Sequence, residues 1–366
     1  MTKYHKPTNK HVQAESYKVL LGRQNGKDIA SLISTQDENQ HGAMRRSIAN
    51  AFTPTATLDY ERWIDATIEE LLEVVGRKTK TKTTTTTTGK FELSSMIVWY
   101  TMDAAGRFSF GAPLGCLAAE ADVGGSVQVI RDRFIHWARW ASMPRLERLV
   151  HRNPLLEPKS RSPSTIVAMA SEKLKARMNS GSNKASVSST KDDSDAHSYD
   201  PSPDLLQRFL EARKDFPRTL DEPGIIGLLM STISGASDTT ASTVTAALFY
   251  LLKSPEAMRK LESELMRADL PEIPAYNDVS KLSYLNAVIK ESMRLFSPAP
   301  MPLERLVPAG GITIAGMYFP EGASVGCSEY YLRGSKSFSS SFRSIHQPQC
   351  SLTDRLQDVT TNTNVE

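Results

Sequence analysis

The sequence predicts a mainly helical protein with a small β part late in the chain. The first reason is the longest mainly apolar run, residues 225–252 (IIGLLMSTISGASDTTASTVTAALFYLL), whose one interior charge is Asp238. The second is a series of segments in which apolar residues recur every three or four positions, as on one face of a helix. The third is the stretch after Pro298, where glycine and proline separate short β-branched runs, a pattern typical of small strands.

Length, composition and charge exclude several classes of protein. The 366 residues carry 44 Lys and Arg against 41 Asp and Glu, a formal net charge of +3. This balance, with no basic stripe interleaved with aromatic residues, argues against a nucleic-acid partner. A hydrophobic content of 40% is enough for a sizeable core, although the mean hydropathy of −0.34 reflects long polar segments. The length permits one large domain or two ordinary ones.

The polar start of the chain shows neither a signal peptide nor a membrane anchor. Residues 225–252 are long enough to cross a bilayer, but Asp238 and the hydroxyl residues around it favour a buried helix of a globular protein. Three cysteines with no close pair argue against a disulfide framework or a zinc site, and they suit a reducing compartment.

The first quarter of the chain predicts two helices. Residues 1–30 are polar and weakly patterned, and a short amphipathic helix is expected from about residue 38 to residue 51. A second helix, for which Thr57 is a candidate cap, follows from apolar residues at three- and four-residue steps. These residues are Tyr60, Ile64, Ile68, Leu71, Leu72 and Val75. Residues 78–90 (KTKTKTTTTTTGK) have low complexity and predict a surface loop.

The middle of the chain predicts two further helices and a linker. Residues 91–115 indicate a mostly buried helix that ends near a turn at Gly111, and residues 127–149 a helix with mixed faces. Between residues 178 and 203 the composition shifts to Ser, Asp, Lys and Asn, which predicts a disordered linker or a long mobile loop. The segment DLLQRFLEARKD at 204–215 restarts the helical pattern.

Two helices are expected after the long apolar run. Residues 254–270 form a charged amphipathic segment whose start is marked by Ser254 and Pro255. Residues 282–296 predict a helix with a buried face formed by Leu285, Val288, Ile289, Ser292, Met293 and Phe296. Residues 334–366 are rich in serine without apolar periodicity, so a disordered tail is expected to follow a domain covering residues 1–333.

The polar cluster in the middle of residues 225–252 is unusual for a core helix. At about 1.5 Å per residue the run makes a helix of roughly 42 Å, long enough to cross a domain. Small and hydroxyl-bearing residues surround Asp238, although glycine and β-branched residues lower helix propensity and buried hydroxyls need partners. The middle of this helix is therefore interpreted as shaped for a group that comes close to its backbone.

Glu291 and Arg294 are three residues apart, so their side chains meet on one face of the predicted 282–296 helix. Taken alone, the ExxR spacing is common, and the alternative is an ordinary surface ion pair worth only a few tenths of a kcal/mol. The proline-rich break SPAPMP and Arg305, which follow the helix, give the spacing more weight.

Three motifs in order, GASDTT at 235–240, ESMR at 291–294 and PLERLVP around Arg305, resemble those of the cytochrome P-450 haem-thiolate monooxygenases. HGAMRR at 41–46 is similar to the HxxxR motif of that family. The sequence is most similar to fungal members of the family that act in secondary metabolism, and the resemblance covers roughly residues 29–326. The resemblance implies a cytochrome P-450-like fold, haem as the cofactor, a small apolar substrate and an NADPH-dependent reductase as electron donor.

The resemblance also implies roles for individual residues. His41 and Arg45 would hydrogen-bond one haem propionate and Arg305 the other, which suits a guanidinium because its planar fork matches a carboxylate. An ordinary surface pair on a helix remains the alternative for His41 and Arg45. Glu291 and Arg294 would form a buried structural pair near the proximal side of the haem.

On the central helix, the resemblance places Gly235 and Ala236 where dioxygen and substrate approach the backbone. Asp238 and Thr239 would manage the delivery of protons to dioxygen, because a partly solvated carboxylate can relay protons. A hydroxyl that bonds back to its own helix can also widen the groove. The alternative for Thr239 is a helix hydroxyl that simply bonds to the carbonyl of the preceding turn.

The family holds its iron with a cysteine thiolate in an FxxGxxxCxG loop. This loop is not found in the sequence, and Cys116, Cys327 and Cys350 do not match it, so no metal ligand is assigned. The fold is therefore predicted to be incomplete, apparently truncated at both ends, without the first strands and membrane anchor of the family and stopping before its metal site.

Three functions are left open. The first is a haem-dependent monooxygenase that hydroxylates or otherwise oxidises a small apolar molecule, in secondary-metabolite biosynthesis. The second is a non-catalytic remnant that lacks the haem-ligating cysteine, and the third is a helical binding module unrelated to haem. The expected location is cytoplasmic or peripheral to the endoplasmic reticulum. No GxSxG, GxGxxG, P-loop or HExxH pattern supports a rival class of enzyme.

Overall fold

A computed structural model describes residues 12–24, 26–80, 91–153, 164–183 and 203–328. Short 3-10 helices cover Glu15–Leu20, Ala49–Phe52 and Val123–Gly125. The α-helices of the described part are α1 (Glu38–Ile48), α2 (Pro54–Leu58), α3 (Glu61–Lys80), α4 (Leu93–Phe110), α5 (Cys116–Ala119), α6 (Ser126–Trp140), α7 (Pro144–His151), α8 (Thr165–Asn183), α9 (Leu205–Ala212), α10 (Glu222–Lys253), α11 (Pro255–Arg267), α12 (Tyr276–Val279) and α13 (Ser283–Leu295).

The strands are short and form three small antiparallel sheets. They are β1 (Val12–Gln13), β2 (Gly22–Gln24), β3 (Lys27–Ile29), β4 (Arg305–Leu306), β5 (Ile312–Ile314), β6 (Met317–Phe319) and β7 (Ser324–Val325). The first sheet has the order β1-β4-β7, while β2 pairs with β3 and β5 with β6. In the three-stranded sheet, Arg305 of β4 pairs with Gln13 of β1 on one side and with Val325 of β7 on the other. The mainly helical fold with a small β part is confirmed, but the expectation that the strands come late in the chain is only partly correct, because β1, β2 and β3 lie before residue 30.

The long central helix predicted from residues 225–252 is α10, which begins three residues earlier and ends one residue later than predicted. Asp221 caps its start by accepting a hydrogen bond from the Gly224 backbone at 2.9 Å, and Pro223 occupies the first turn. Lys253 in the last turn complements the negative end of the helix dipole. The 32 residues make a helix of about 48 Å.

The main hydrophobic core surrounds the first half of α10. Ile225, Leu229 and Ile233 are completely buried there, against residues of α4, α8 and α9. Gly227 allows β3 to approach closely, because a Cβ atom at this position would lie 2.0 Å from the carbonyl oxygen of Ala30. The N-terminal half of α10 is therefore fixed by packing on several sides.

The second half of α10 is less buried, and so is one face of α13. Phe249 is 52% exposed and Leu252 70% exposed. On α13 the expected buried face is only partly correct, since Val288 and Ser292 are buried whereas Ile289, Met293 and Phe296 are among the exposed large apolar residues. Both helices therefore carry exposed apolar side chains. The predicted burial of Ile289, Met293 and Phe296 is wrong.

Several other helix boundaries agree with the sequence-based predictions, because residues next to the helix ends determine them. The predicted turn at Gly111 ends α4 with the glycine in the left-handed conformation at φ 75°, and Pro255 begins α11. The predicted helix at 38–51 is α1 followed by a 3-10 turn. Thr57 does not cap α3, because it lies inside α2, whose cap is Thr53. This prediction is wrong.

Three further predictions need correction. Residues 127–149 form two helices, α6 and α7, separated by a break before Pro144. The expected linker at 178–203 begins later, because α8 continues to Asn183, and the remainder up to residue 202 lies outside the described residues. The expected loop at 78–90 likewise begins beyond Lys80, where α3 ends, and residues 81–90 are not described.

The sequence missed the structure near residue 12. β1 and the 3-10 helix Glu15–Leu20 fall in the segment judged weakly patterned. The tail predicted at 334–366 lies outside the described residues. Within the described part, no helix is both long and apolar enough to cross a membrane.

Candidate functional site

The middle of α10 contains an open position on the helix surface at Gly235. This residue is exposed, and a Cβ atom built on it would have no described atom within 4 Å outside its own helix. One turn later, the Thr239 hydroxyl donates to the Gly235 carbonyl oxygen at 2.5 Å. The Thr239 hydroxyl therefore lies beside the exposed backbone of Gly235, where another group can approach the helix.

The other small residues of this segment face the core. Ala236 packs against the main hydrophobic cluster, and the Ser237 hydroxyl is buried and donates to the Ile233 carbonyl oxygen at 2.6 Å. Of the two small residues predicted to make room, only Gly235 therefore has open space at the Cβ position. The buried Ser234 hydroxyl has no hydrogen-bond partner among the described residues.

Asp238 precedes Thr239 on the same exposed side of α10. It is half-buried, and it forms no hydrogen bond or ion pair with the part of the chain that the structure describes. A carboxylate in this position can exchange protons with water and with a neighbouring group. Gly235, Asp238 and Thr239 together are called the α10 notch below.

The predicted pair His41 and Arg45 lies on α1, one turn apart. Asp37 caps this helix by accepting hydrogen bonds from Asn39 and Gln40 backbone amides at 2.8 and 3.0 Å. His41 is half-buried and Arg45 is exposed, while Met44 and Ile48 on the inner face enter the same core as α10. The cap and the core contacts fix α1, so both polar side chains project from a rigid helix.

Arg305, the other predicted propionate ligand, begins β4. Its Nη1 donates to the Tyr17 hydroxyl at 3.1 Å and to the Glu304 carbonyl oxygen at 2.8 Å, and its guanidinium carbon lies 5.5 Å from the centre of the Tyr17 ring. A cation stacked on an aromatic ring is stabilised by the ring quadrupole. The structure therefore places Arg305 against Tyr17, a residue that sequence reasoning missed.

Tyr17 is itself held firmly. It is 2% exposed, and its ring centre lies 5.6 Å from that of Trp137. Trp137 donates from Nε1 to the Ser16 carbonyl oxygen at 3.1 Å, and the Ser16 hydroxyl donates to Glu304 at 2.9 Å. These contacts join three segments far apart in sequence, so no local pattern could have indicated them.

Glu291 and Arg294 form an ion pair on α13. Both guanidinium contacts are short, Nε to Oε2 at 2.6 Å and Nη2 to Oε1 at 2.7 Å, which is the bidentate geometry. Glu291 is 3% exposed, so the pair is not an ordinary surface pair. Removal of either partner would leave a charge with little solvation.

The described cysteines do not supply a thiolate beside the α10 notch. Cys116 is completely buried at the start of α5, and burial raises the pKa of its thiol to about 11, which disfavours the thiolate. Cys327 is exposed after β7, and Cys350 lies outside the described residues. Within the described ranges, no group of three His, Cys, Asp or Glu residues could hold a metal ion.

By their chemistry, Gly235 and the two arginines would suit one face and the edge of a haem group. Open backbone at Gly235 leaves room for a flat group, and arginines on α1 and β4 are suited to carboxylates. No described cysteine fits the role of axial ligand. The helical fold, the notch in α10 and the buried Glu291–Arg294 pair agree with the resemblance to the cytochrome P-450 family.

A family model for cytochrome P-450 matches residues 4–339, and the chain belongs to the cytochrome P-450 family. It is 29% identical over 336 residues to a cytochrome P-450 monooxygenase of Aspergillus terreus, covering 90% of this chain and 65% of the relative. It is 27% identical over 338 residues to the cytochrome P-450 monooxygenase asR2 of Sarocladium schorii, covering 88% of this chain and 62% of the relative.

The solved structure of a cytochrome P-450 named CYP102L1 has a similar fold, with a TM-score of 0.68 and 16% sequence identity. The match covers 98% of this chain and 78% of that structure, and at this identity it shows the fold alone. The chain thus spans less than two thirds of the length of both fungal relatives.

Proposed function

We propose that the chain is the haem-binding part of a monooxygenase that oxidises a small apolar molecule, in fungal secondary-metabolite biosynthesis. One observation carries the proposal, namely the α10 notch, in which the Thr239 hydroxyl bonds to the carbonyl of an exposed glycine with open space above it. Membership of the cytochrome P-450 family and fungal monooxygenases among the relatives support the reaction class.

Three residues would hold the edge of the haem. Arg45 and His41, one turn apart on a rigid helix, suit one propionate, and Arg305 suits the other. Charge-assisted hydrogen bonds from a guanidinium to a carboxylate are about twice as strong as neutral ones. Arg305 donates to the neutral Tyr17 hydroxyl in the structure, so a propionate would offer it a stronger acceptor.

The polar residues of the notch would handle protons. When bound, the haem would supply the activation of dioxygen, and the protein would have to deliver protons there. Thr239 keeps its hydroxyl oxygen on the open side of α10, and half-buried Asp238 can take protons from solvent. The proposed electron donor is an NADPH-dependent reductase, and the proposed location is the cytoplasm or the surface of the endoplasmic reticulum.

A second candidate is a chain that keeps the fold without catalysis. The observation that favours it is the state of the cysteines, since Cys116 is buried with its thiol protonated and Cys327 is exposed after β7. A chain with no axial thiolate lacks the electron donation that favours O–O cleavage.

Titration of the purified chain with haem separates the two candidates. The monooxygenase proposal expects saturable haem binding, and a thiolate-type difference band with carbon monoxide if a cysteine outside the described residues supplies the ligand. The non-catalytic alternative expects a folded chain, helical by circular dichroism, without that band and without oxidation of any substrate.

Variants test the proposed propionate ligands. Arg45→Gln and Arg305→Gln should each weaken haem binding about tenfold, because each removes a hydrogen bond between charged groups. Arg46→Gln is the matched control, since Arg46 is also exposed on α1 and carries the same charge, and it should stay within about twofold. Equal losses in all three variants would count against the assigned roles.

A further inference from the structure

A second concave site lies between α11 and α13. The cleft has a volume of about 660 Å³, and none of the residues that line it has a role in the proposed haem site. Its α11 wall is strongly charged, and Tyr284 forms part of the α13 wall.

Both carboxylates of the cleft have partners. Glu256 forms an ion pair with Lys260 at 3.1 Å, one turn along α11. Glu264 caps α13, because its two oxygens accept hydrogen bonds from the Tyr284 and Leu285 backbone amides, each at 2.8 Å. A carboxylate at the N-terminus of a helix is also favoured by the helix dipole. Glu256 is therefore paired with a cation, and the negative charge of Glu264 faces the N-terminus of α13.

Two arginines of the same wall have no carboxylate partner among the described residues. Arg259 donates from Nε to the Pro255 carbonyl oxygen at 3.3 Å, and its terminal nitrogens have no partner among the described residues. Arg267 forms no hydrogen bond or ion pair with the described part of the chain. Ser263 lies between them at four-residue steps, so both guanidiniums project from one face of α11. The cleft therefore presents two positive charges that can bind an anion.

Tyr284 adds a buried donor. Its side chain is 9% exposed, and its hydroxyl has no hydrogen-bond partner among the described residues. Burial, together with the nearby carboxylates of Glu256 and Glu264, raises the pKa of Tyr284, so the hydroxyl keeps its proton. A ligand oxygen placed against this buried hydroxyl would supply the hydrogen bond that it lacks.

We propose that this cleft binds a small soluble molecule that carries a phosphate group. Arg259 and Arg267 hold the charge of the phosphate, and the Tyr284 hydroxyl donates to one of its oxygens. Guanidinium groups suit this ligand because their fork of N–H donors matches the oxygens of a phosphate. The site needs neither haem nor the α10 notch, so its failure and the failure of the proposed monooxygenase are distinguishable.

Calorimetric titration with inorganic phosphate at constant ionic strength tests the site. The wild-type chain should bind one phosphate with a saturable heat, and Arg259→Gln/Arg267→Gln should lower the affinity at least about tenfold. Arg139→Gln/Arg218→Gln is the matched control, because both arginines are exposed elsewhere on the surface and the change in charge is the same. The control should stay within about twofold.

Tyr284→Phe removes a single oxygen and tests the buried donor without a change in charge. The affinity for phosphate should fall about three- to tenfold, while thermal stability without phosphate should not decrease, because an unpartnered hydroxyl is removed. The proposal is overturned by an absence of saturable binding in the wild type, by equal losses in the two double variants, or by binding only to vesicles that contain phosphatidic acid.

Discussion

Two glycines of α10 should respond to alanine in opposite directions. Gly227 and Gly235 are two turns apart on one helix, and both are followed in sequence by core residues. A Cβ atom at Gly227 would lie 2.0 Å from the Ala30 carbonyl oxygen and 3.1 Å from Ile29 Cγ2, whereas a Cβ atom at Gly235 would meet no described atom within 4 Å. The substitution is therefore the same while its surroundings differ.

The expected magnitudes follow from these surroundings. In a helix interior, alanine is more favourable than glycine by about 0.5–1 kcal/mol, because glycine loses more backbone freedom on folding. Gly235→Ala should therefore raise the free energy of unfolding by about that amount. At Gly227, β3 or α10 has to move, since a backbone atom blocks the methyl group, and overpacking costs about 1–3 kcal/mol. Gly227→Ala should therefore lower the free energy of unfolding.

Urea denaturation followed by the helical circular dichroism signal measures both changes. Haem titration of the same proteins adds a second readout, because the new methyl group of Gly235→Ala occupies the open space of the α10 notch and should weaken haem binding while stability rises. A loss of stability in Gly235→Ala would show that the space above the helix is closed in solution, and a neutral Gly227→Ala would show that β3 is not packed there.

Three further predictions concern other parts of the fold. Asp103→Asn should cost about 2–3 kcal/mol of unfolding free energy, because the buried carboxylate accepts three backbone N–H bonds at 2.8–3.1 Å, whereas exposed Asp132→Asn should change it by less than about 0.5 kcal/mol in the same urea assay. At pH 8 iodoacetamide should modify Cys327 long before Cys116, whose thiolate fraction is about one in a thousand at a pKa of about 11, and peptide mass spectrometry would reveal the reverse order. Phe249→Gln should alter stability by less than about 1 kcal/mol, because half of the ring is exposed.

The raised pKa of Cys116 also makes the free energy of unfolding depend on pH. Its folded pKa, about 11, lies above its ordinary value, so the folded state holds the thiol proton more tightly than the unfolded state. The contribution of this thiol is fully present below the unfolded pKa and is lost as the pH rises toward 11. A Cys116→Ala variant should therefore lose less stability than the wild type between pH 8.5 and about 11, as measured by urea denaturation.

Local signals in the sequence predicted the helices well. Pro255 marks a start and Gly111 marks an end, because each acts through atoms within a few residues. The notch was also visible, since a charge and several hydroxyls interrupt an apolar run. Thr57 was wrong because Thr53 and Pro54 together begin a separate short helix, a competing cap that the apolar periodicity did not distinguish.

Contacts between distant segments could not be predicted. The pairing of β1 with β4 joins Gln13 to Arg305, and the Tyr17 hydroxyl meets the same arginine. Two-residue strands have no periodicity to read. Likewise, the three amides around Asp103 come from a turn that only the folded chain brings close. These interactions depend on tertiary placement, which local propensity does not encode.

The division of α10 explains how one helix serves two purposes. From Ile225 to Met230 every residue is buried, and the helix is anchored by packing with Gly227 against Ala30. From Gly235 onward the outward positions are open, and Thr239 bonds to its own helix instead of to a neighbour. Because the anchored half fixes the axis, the open half can keep exposed backbone and an uncommitted carboxylate at Asp238 without losing its position. Substitutions before residue 234 should therefore act on stability, and those at Gly235, Asp238 and Thr239 on the site, which makes the two properties separable on a single helix.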